Sequence, residues 1–401
     1  MFRSIRNRSV PDCPRTRTGR RIAIAAAAAA ALAVVSACGS SSGGSAAGGS
    51  SGGGQLKIGF VTTLSNNAFS DVGVQAKAAF EAAVAQGSGA GGPSIATFEG
   101  DDAGDAQQAT QVCQRLIQQD HVSVIVAVML TPNKNACSLI AQKAGVPFIA
   151  GQQSAVNCSS LYFQTGWIPN QVVDPAIAYL AKEGKKTIYF VGNDYAFDTE
   201  ILQTLTTTAA AHGMKVIGSS LPPIGTTDWS PIFSRVEGAH ADVVVDAMVD
   251  EIAYQKQAAL DPQMSKLDRL SLTVDESQLH SAGGDQQGLQ IVTQYVSTQT
   301  DAANTAFIAA MKKADSSVVP SLTSENLYNA TLVAIAAAKK GTSSADIAAQ
   351  IPHVSVETPG GTLSFDGAHN PTMTTYVATV GSDLVPTTVF TQPSVAAETG
   401  C

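Results

Sequence analysis

The sequence predicts an α/β protein made of two doubly wound lobes with a ligand cleft between them. Three observations predict it. From Gln55 onward, short β-rich apolar runs alternate with longer stretches of helical spacing. The same rhythm restarts near Lys186. About 345 of the 401 residues lie in this alternating part, enough for two domains of ordinary size.

The first lobe opens with "KIGFVTTL" (57–64) as strand and "DVGVQAKAAFEAAVAQG" (71–87) as a helix that stops at glycine. "SIATFEGD" (94–101) reads as strand and "DAQQATQVCQRLIQQD" (105–120) as helix. "VSVIVAVML" (122–130) is a near-continuous apolar run, the pattern of a strand buried on both faces. "NKNACSLIAQKAG" (133–145) predicts a helix and "VPFIAG" (146–151) a strand. In the second lobe strands are predicted at 186–193, 214–223, 241–248 and 269–274, with helices at 199–213, 228–239 and 250–260 between them. Two further helices, "NTAFIAAMKKA" and "SENLYNATLVAIAAAKKG", precede a β-rich segment at 361–381. Open sheets of this kind bind ligands beyond the carboxyl ends of their strands, so two such edges face to face make a cleft.

Ahead of this part, seven arginines and the apolar run Ile22–Val35 lead to "VVSACGSSSGG". The run is shorter than the roughly 20 residues a membrane span needs, and it reads as an export signal. Its end, Val35-Ser36-Ala37-Cys38, resembles the lipobox of bacterial lipoproteins, which implies cleavage after residue 37 and a lipid on the Cys38 sulfur. An ordinary secretory signal with an incidental cysteine is the plainer alternative, and Arg20-Arg21 leaves Sec and twin-arginine export both open. The Gly/Ser run then serves as a flexible tether over 38–54. Removing residues 1–37 takes seven arginines and Asp12 from a total of 24 basic and 32 acidic residues, leaving a net charge of about −14. Such a surface argues against a nucleic-acid partner.

Four cysteines follow Cys38, and their spacings match no zinc pattern, so no metal or other cofactor is expected. Three full disulfide connectivities are open. Cys137 with Cys158 is the favoured pair, because both fall at the same predicted edge of one sheet.

The order of "IGFVTTLSNNAFSDVGVQAKAAFEAAV", "DDAGDAQQATQVCQRLIQQDHVSVIVA", "AGVPFIAG", "GNDYAF" and "PPIGTTDWSPIFSRVEGAHADVVV" resembles extracytoplasmic solute-binding proteins of the Leu/Ile/Val type, which serve ABC importers. The later "ESQLHSAGGDQQGLQIVTQYVSTQTDAANTAFIAAMKK" and "PGGTLSFDGAHNPTMTTYV" look nearest the branch that binds urea and short amides. The resemblance implies three hinge crossings, near Gly166–Asn170, Ile291–Tyr295 and Thr358–Gly361. The lobes would then be 55–168 plus 292–358 and 169–291 plus 359–395. It implies a monomer outside the cell that delivers a small solute to an ABC permease. The ligand would be a branched-chain or other amino acid, or alternatively urea or an amide.

Site residues follow by position. Thr131 matches the hydroxyl that meets a ligand carboxylate at a helix start, where free N–H groups favour anions, although it could equally cap that helix. Ser154 matches a second hydroxyl, with Gln152 beside it. Tyr195 matches an aromatic that closes over the ligand, and Phe69 an apolar wall. Asp250 and Glu251 offer the carboxylate an ammonium needs, Glu251 aligning better. Asp275-Glu276 is a second acidic pair at the same edge, and helix starts favour acids in any case. The sequence departs from the amino-acid binders at 127–130, which lacks their Gly/Ser run, and Pro132 removes one N–H donor.

An enzyme is not expected. The six histidines are scattered, and neither a nucleophile elbow nor a phosphate loop appears. A sensory receptor domain of the same fold, without transport, is a further alternative.

Overall fold

The computed structural model describes residues 54–66, 69–89 and 92–401. The export signal, Cys38 and the tether up to Gly53 lie outside the described residues. The chain begins with β1 (Leu56–Thr62), α1 (Ser70–Gly87), β2 (Ile95–Asp101), α2 (Ala106–Gln118), β3 (Val124–Val128), α3 (Thr131–Lys143), β4 (Phe148–Ala150) and β5 (Tyr162–Gln164). It continues through α4 (Pro169–Lys182), β6 (Thr187–Gly192), α5 (Ala196–Ala211), β7 (Lys215–Ser220), α6 (Ser230–Ala239), β8 (Val243–Ala247), α7 (Glu251–Leu260), β9 (Arg269–Ser271), α8 (Glu276–Ala282) and β10 (Gln290–Thr293). The remainder is α9 (Ala302–Ala314), α10 (Leu322–Ala337), α11 (Ser344–Gln350), β11 (Ser355–Thr358), β12 (Gly361–Ser364), β13 (Met373–Val380) and β14 (Pro386–Val395).

Two main sheets result. The first runs β2-β1-β3-β4-β5 and is wholly parallel. The second runs β14-β13-β10-β9-β8-β6-β7, parallel except for β13, which is antiparallel to both of its neighbours. All five residues of β3 are buried, because helices cover both faces. On one face α1 and α10 pack together, and Phe60 stacks on Phe80 with ring centroids 4.6 Å apart. On the other, Val112, Leu116 and Ala141 of α2 and α3 meet Ile125 and Phe148. In the second sheet α4 and α5 cover one face and α6 and α7 the other, where Trp229 and Tyr254 meet edge to face at 5.1 Å.

The predicted elements are present, with ends trimmed by one to three residues at most boundaries. The helix after β3 starts at Thr131 rather than Asn133, since Pro132 suits the first turn of a helix. The short β5, α8, β10, α11 and β11 and the long β14 were not predicted. The first passage between the sheets runs from β5 to α4. Gly166 sits there so tightly that a Cβ would come 2.1 Å from the backbone of Gln152. The second passage leaves β10. The third differs from expectation: Thr358 and Gly361 close the β11–β12 hairpin, and the chain joins the second sheet only at Met373.

The cysteine pairing is corrected. Cys137 bonds Cys113 rather than Cys158, because α2 and α3 lie side by side and bring the two Cα atoms to 5.6 Å. Cys158 bonds Cys401, with Cα atoms 5.5 Å apart. The tail reaches it by running along the start of α4, where Asn170 donates to the Ala396 carbonyl at 2.9 Å and Gln171 to that of Val395 at 3.1 Å. No spacing rule reveals a partner 243 residues away.

Non-reduced peptide mapping should therefore recover Cys113–Cys137 and Cys158–Cys401 and no Cys137–Cys158 peptide. Replacing both Cys113 and Cys137 with alanine should cost ~3 kcal/mol by calorimetry, the value expected for closing a loop of this order. An unchanged melting point would show that the bond contributes nothing.

Candidate functional site

The two parallel sheets turn their carboxyl edges toward one cavity. Its walls are Phe69 and Val72 after β1, Leu130 and Thr131 after β3, and Gln152 and Gln153 after β4. From the second sheet come Tyr195, Phe197 and Asp198 after β6, Met248 and Val249 after β8, Thr273 after β9 and Gln278 on α8, with Thr323 at the start of α10. Both sheets reverse strand order beside these loops, at β1/β3 and at β6/β8, as ligand sites of open α/β sheets do. The cavity measures about 40 Å3. That volume holds one or two waters.

Thr131 opens α3, and its N–H donates to the Tyr195 hydroxyl oxygen from the opposite sheet. This bond ties the two edges together at the helix terminus where an anion would sit. Burial raises the Tyr195 pKa, so the group is a neutral phenol. Gln152 holds the floor: its Nε2 donates to the Met129 carbonyl at 2.7 Å and its Oε1 accepts from the Met129 N–H. Phe69 lines the apolar side with Leu130, Phe197 and Met248.

Three sequence candidates do not reach the cavity wall. Ser154 is fully buried behind it, bonded to the Tyr162 hydroxyl at 3.0 Å. Asp250 accepts from Asn193 Nδ2 at 2.9 Å and from the Gly225 and Thr226 N–H groups, so it ties loops. Glu251 is also fully buried, its carboxylate accepting from Ser271 Oγ at 3.2 Å, Gln255 Nε2 at 3.1 Å and the Thr273 hydroxyl. It lies one residue behind the wall that Thr273 forms. Burial raises its pKa, and burial with the nearby Glu251 raises that of Asp246 well above the usual range. Asp275 caps α8, accepting from the Ser277 and Gln278 N–H groups, and its partner Glu276 accepts from the Ser297 N–H at 3.0 Å.

The acid on the wall is Asp198, which sequence reasoning missed. It sits in the first turn of α5, 1% exposed, and accepts from the Asn193 N–H at 2.7 Å. Burial, with Glu251 and Asp250 nearby, pushes its pKa up to about 8. The available signal was its place three residues after Tyr195, in "DYAFD". No lysine, arginine or histidine lines the cavity among the described residues. The site thus offers a helix N–H, hydroxyls and amides, one buried acid and an apolar wall. Among the described residues no cluster of side chains suited to hold a metal ion is present.

Two α/β lobes on either side of such a cavity form the fold of a binding protein. Residues 55–383 match the family model described as "Periplasmic binding protein", and the chain belongs to that family. It is 24% identical over 143 residues to Leu/Ile/Val-binding protein homolog 6 of Brucella abortus strain 2308, covering 35% of this chain and 37% of that protein. The chain thus spans little more than a third of the length of the curated relatives it matches. Among solved structures it is similar to an R. palustris ABC-transporter solute-binding protein in complex with benzoate, with TM-score 0.78 and 21% identity over 86% of this chain and 98% of that one. It is similar too to the Streptococcus pneumoniae branched-chain amino acid transporter substrate-binding protein in complex with isoleucine, with TM-score 0.74 and 18% identity over 85% and 99%. At these identities the likeness is one of fold.

Because the folded chain raises the Asp198 pKa from 3.8 to about 8, it holds a proton there that the unfolded chain releases. Stability due to this group is therefore lost as pH rises from about 4 to about 8. Asp198→Asn keeps an oxygen for the Asn193 N–H and removes the charge. It should flatten the fall in melting temperature between pH 5 and 8, leaving the slope due to the other buried acids. An unchanged slope would show that Asp198 does not titrate in this window.

Proposed function

We propose that this protein is a lipid-anchored, extracytoplasmic solute-binding protein that captures a small amino acid by closing its two lobes and presents it to an ABC importer. The carrying observation is the convergence on one cleft of the α3 terminus, the Asp198 carboxyl and an apolar wall. The ligand carboxylate takes the Thr131 N–H, which requires the Tyr195 hydroxyl to give way. Its ammonium pairs with Asp198, the ionised form then being favoured by the ion pair. Its side chain lies against Phe69, Leu130 and Phe197, which fits an aliphatic amino acid. Glu251 supports this site from behind through Thr273 without touching the ligand. Family membership and the isoleucine-bound neighbour support the reading. The anchor reading rests on the sequence around Cys38.

A second reading, a urea or short-amide receptor, is favoured by one observation. The cavity is small, and Gln152, Gln153 and Gln278 line it.

Calorimetric titration of the detergent-solubilised full chain with leucine, valine, urea and acetamide separates the two. An amino-acid ligand at 100 times its dissociation constant should add about 2.7 kcal/mol to stability. Asp198→Asn should weaken that ligand ~10–100-fold, the worth of one charge-assisted hydrogen bond. Amide binding that survives the substitution would select the second reading, and silence toward every solute would discard both.

Replacing Cys38 with serine should move the protein from the membrane to the soluble fraction. Continued attachment would refute the lipid anchor.

A further inference from the structure

Besides the Thr131–Tyr195 contact, a second hydrogen bond crosses the cleft. The Thr323 N–H, at the start of α10, donates to Asp275 Oδ2 at 3.2 Å. The two ends of this bond belong to different lobes. α10 packs on α1 over the first sheet, whereas Leu279 of α8 packs with Leu289, Ile291 and Val380 at the second. Thr323 and Gln278 both line the cavity, so the bond stands at its edge.

The two carboxylate oxygens of Asp275 have separate tasks. Oδ1 faces its own helix and caps α8, accepting from the Ser277 N–H at 3.0 Å, the Ser277 hydroxyl at 2.6 Å and the Gln278 N–H at 3.1 Å. That cap is complete without α10, and Oδ2 is left for the other lobe. Thr323 is the second residue of α10, so its N–H has no partner within the helix. A carboxylate at this place is favoured twice, by the hydrogen bond and by the positive end of the helix dipole. Asp275 is 2% exposed, and water competes little for the contact.

Taking the protein to close two lobes over a solute, as proposed above, we infer that Asp275 is a positioning residue of the cleft, whose carboxylate clasps the start of α10 and sets the balance between open and closed forms. Separating the lobes breaks this clasp and leaves the α8 cap intact, so its free energy acts on closure. It also steers the ligand. A charged acceptor already occupies the start of α10, while the start of α3 is held only by a neutral phenol, so a ligand anion goes to α3.

Hydrogen exchange of the ligand-free, detergent-solubilised full chain tests the clasp. Asp275→Asn keeps one oxygen for the α8 cap, where asparagine serves as well as aspartate, and sets an amide donor against the Thr323 N–H. Asp275→Ser caps α8 equally but is too short to reach α10, and guards against a defect peculiar to the first variant. In both, exchange should quicken at Thr323 and also at Thr131, whose N–H Asp275 does not touch. A rise of roughly tenfold or more is expected at Thr131, the worth of a hydrogen bond to a charged group, while β3 stays as protected as in the unaltered chain. Faster exchange at Thr323 alone would show a local helix cap, and a matching rise across β3 would show general loosening. Either result, or no change at both threonines, overturns the clasp. These readouts involve no ligand, so they stand apart from the amino-acid assignment.

Discussion

The structure depends on a constraint of parallel sheets: their strands are joined by helices that must return over the faces, so both faces are covered. Here that leaves the ends of the parallel strands open. Val124–Val128 illustrates it, apolar on both sides because α10 and α1 lie over one face and α2 and α3 over the other. Two sheets therefore produce two such edges, and the Thr131–Tyr195 contact joins them.

Charge is distributed unusually within this frame. The ion pairs among the described residues, such as Arg115–Asp120 at 2.7 Å, involve partly exposed side chains. Such pairs contribute little. The buried acids Asp198, Glu276 and Glu325 instead face neutral donors, and burial raises the pKa of the last two to about 7. Holding carboxyls this way opposes folding as pH rises. Proteins tolerate such cost chiefly at functional sites.

The two lobes are joined by more than the three passages of the chain. The Cys158–Cys401 bond ties the tail that follows β14 of the second sheet to the loop between β4 and β5 of the first. Gln152 and Gln153, on the same loop, line the cleft. The disulfide is thus a fourth, covalent connection between the lobes.

Much of this was legible in the chain itself. Alternating apolar runs and helical spacings determine the α/β class and most elements, because hydrophobic periodicity reports which face of each segment is buried. The cleft's position follows from strand ends, and the resemblance to Leu/Ile/Val-type binding proteins singled out Phe69, Thr131, Gln152 and Tyr195 there. Short elements such as β5 and α8 escaped, since three to seven residues carry too little periodicity. The choice among acids lay beyond the sequence as well. Asp250, Glu251 and Asp198 each stand at a helix start near a strand end, and nothing local distinguishes them. Only the packed structure turns Glu251 toward Gln255, Ser271 and Thr273, spends Asp250 on Gly225 and Thr226, and leaves Asp198 on the wall. The same holds for Cys158, whose partner Cys401 lies 243 residues away. Local sequence sets what each segment must bury, but which polar atom finds a partner is decided by groups hundreds of residues apart.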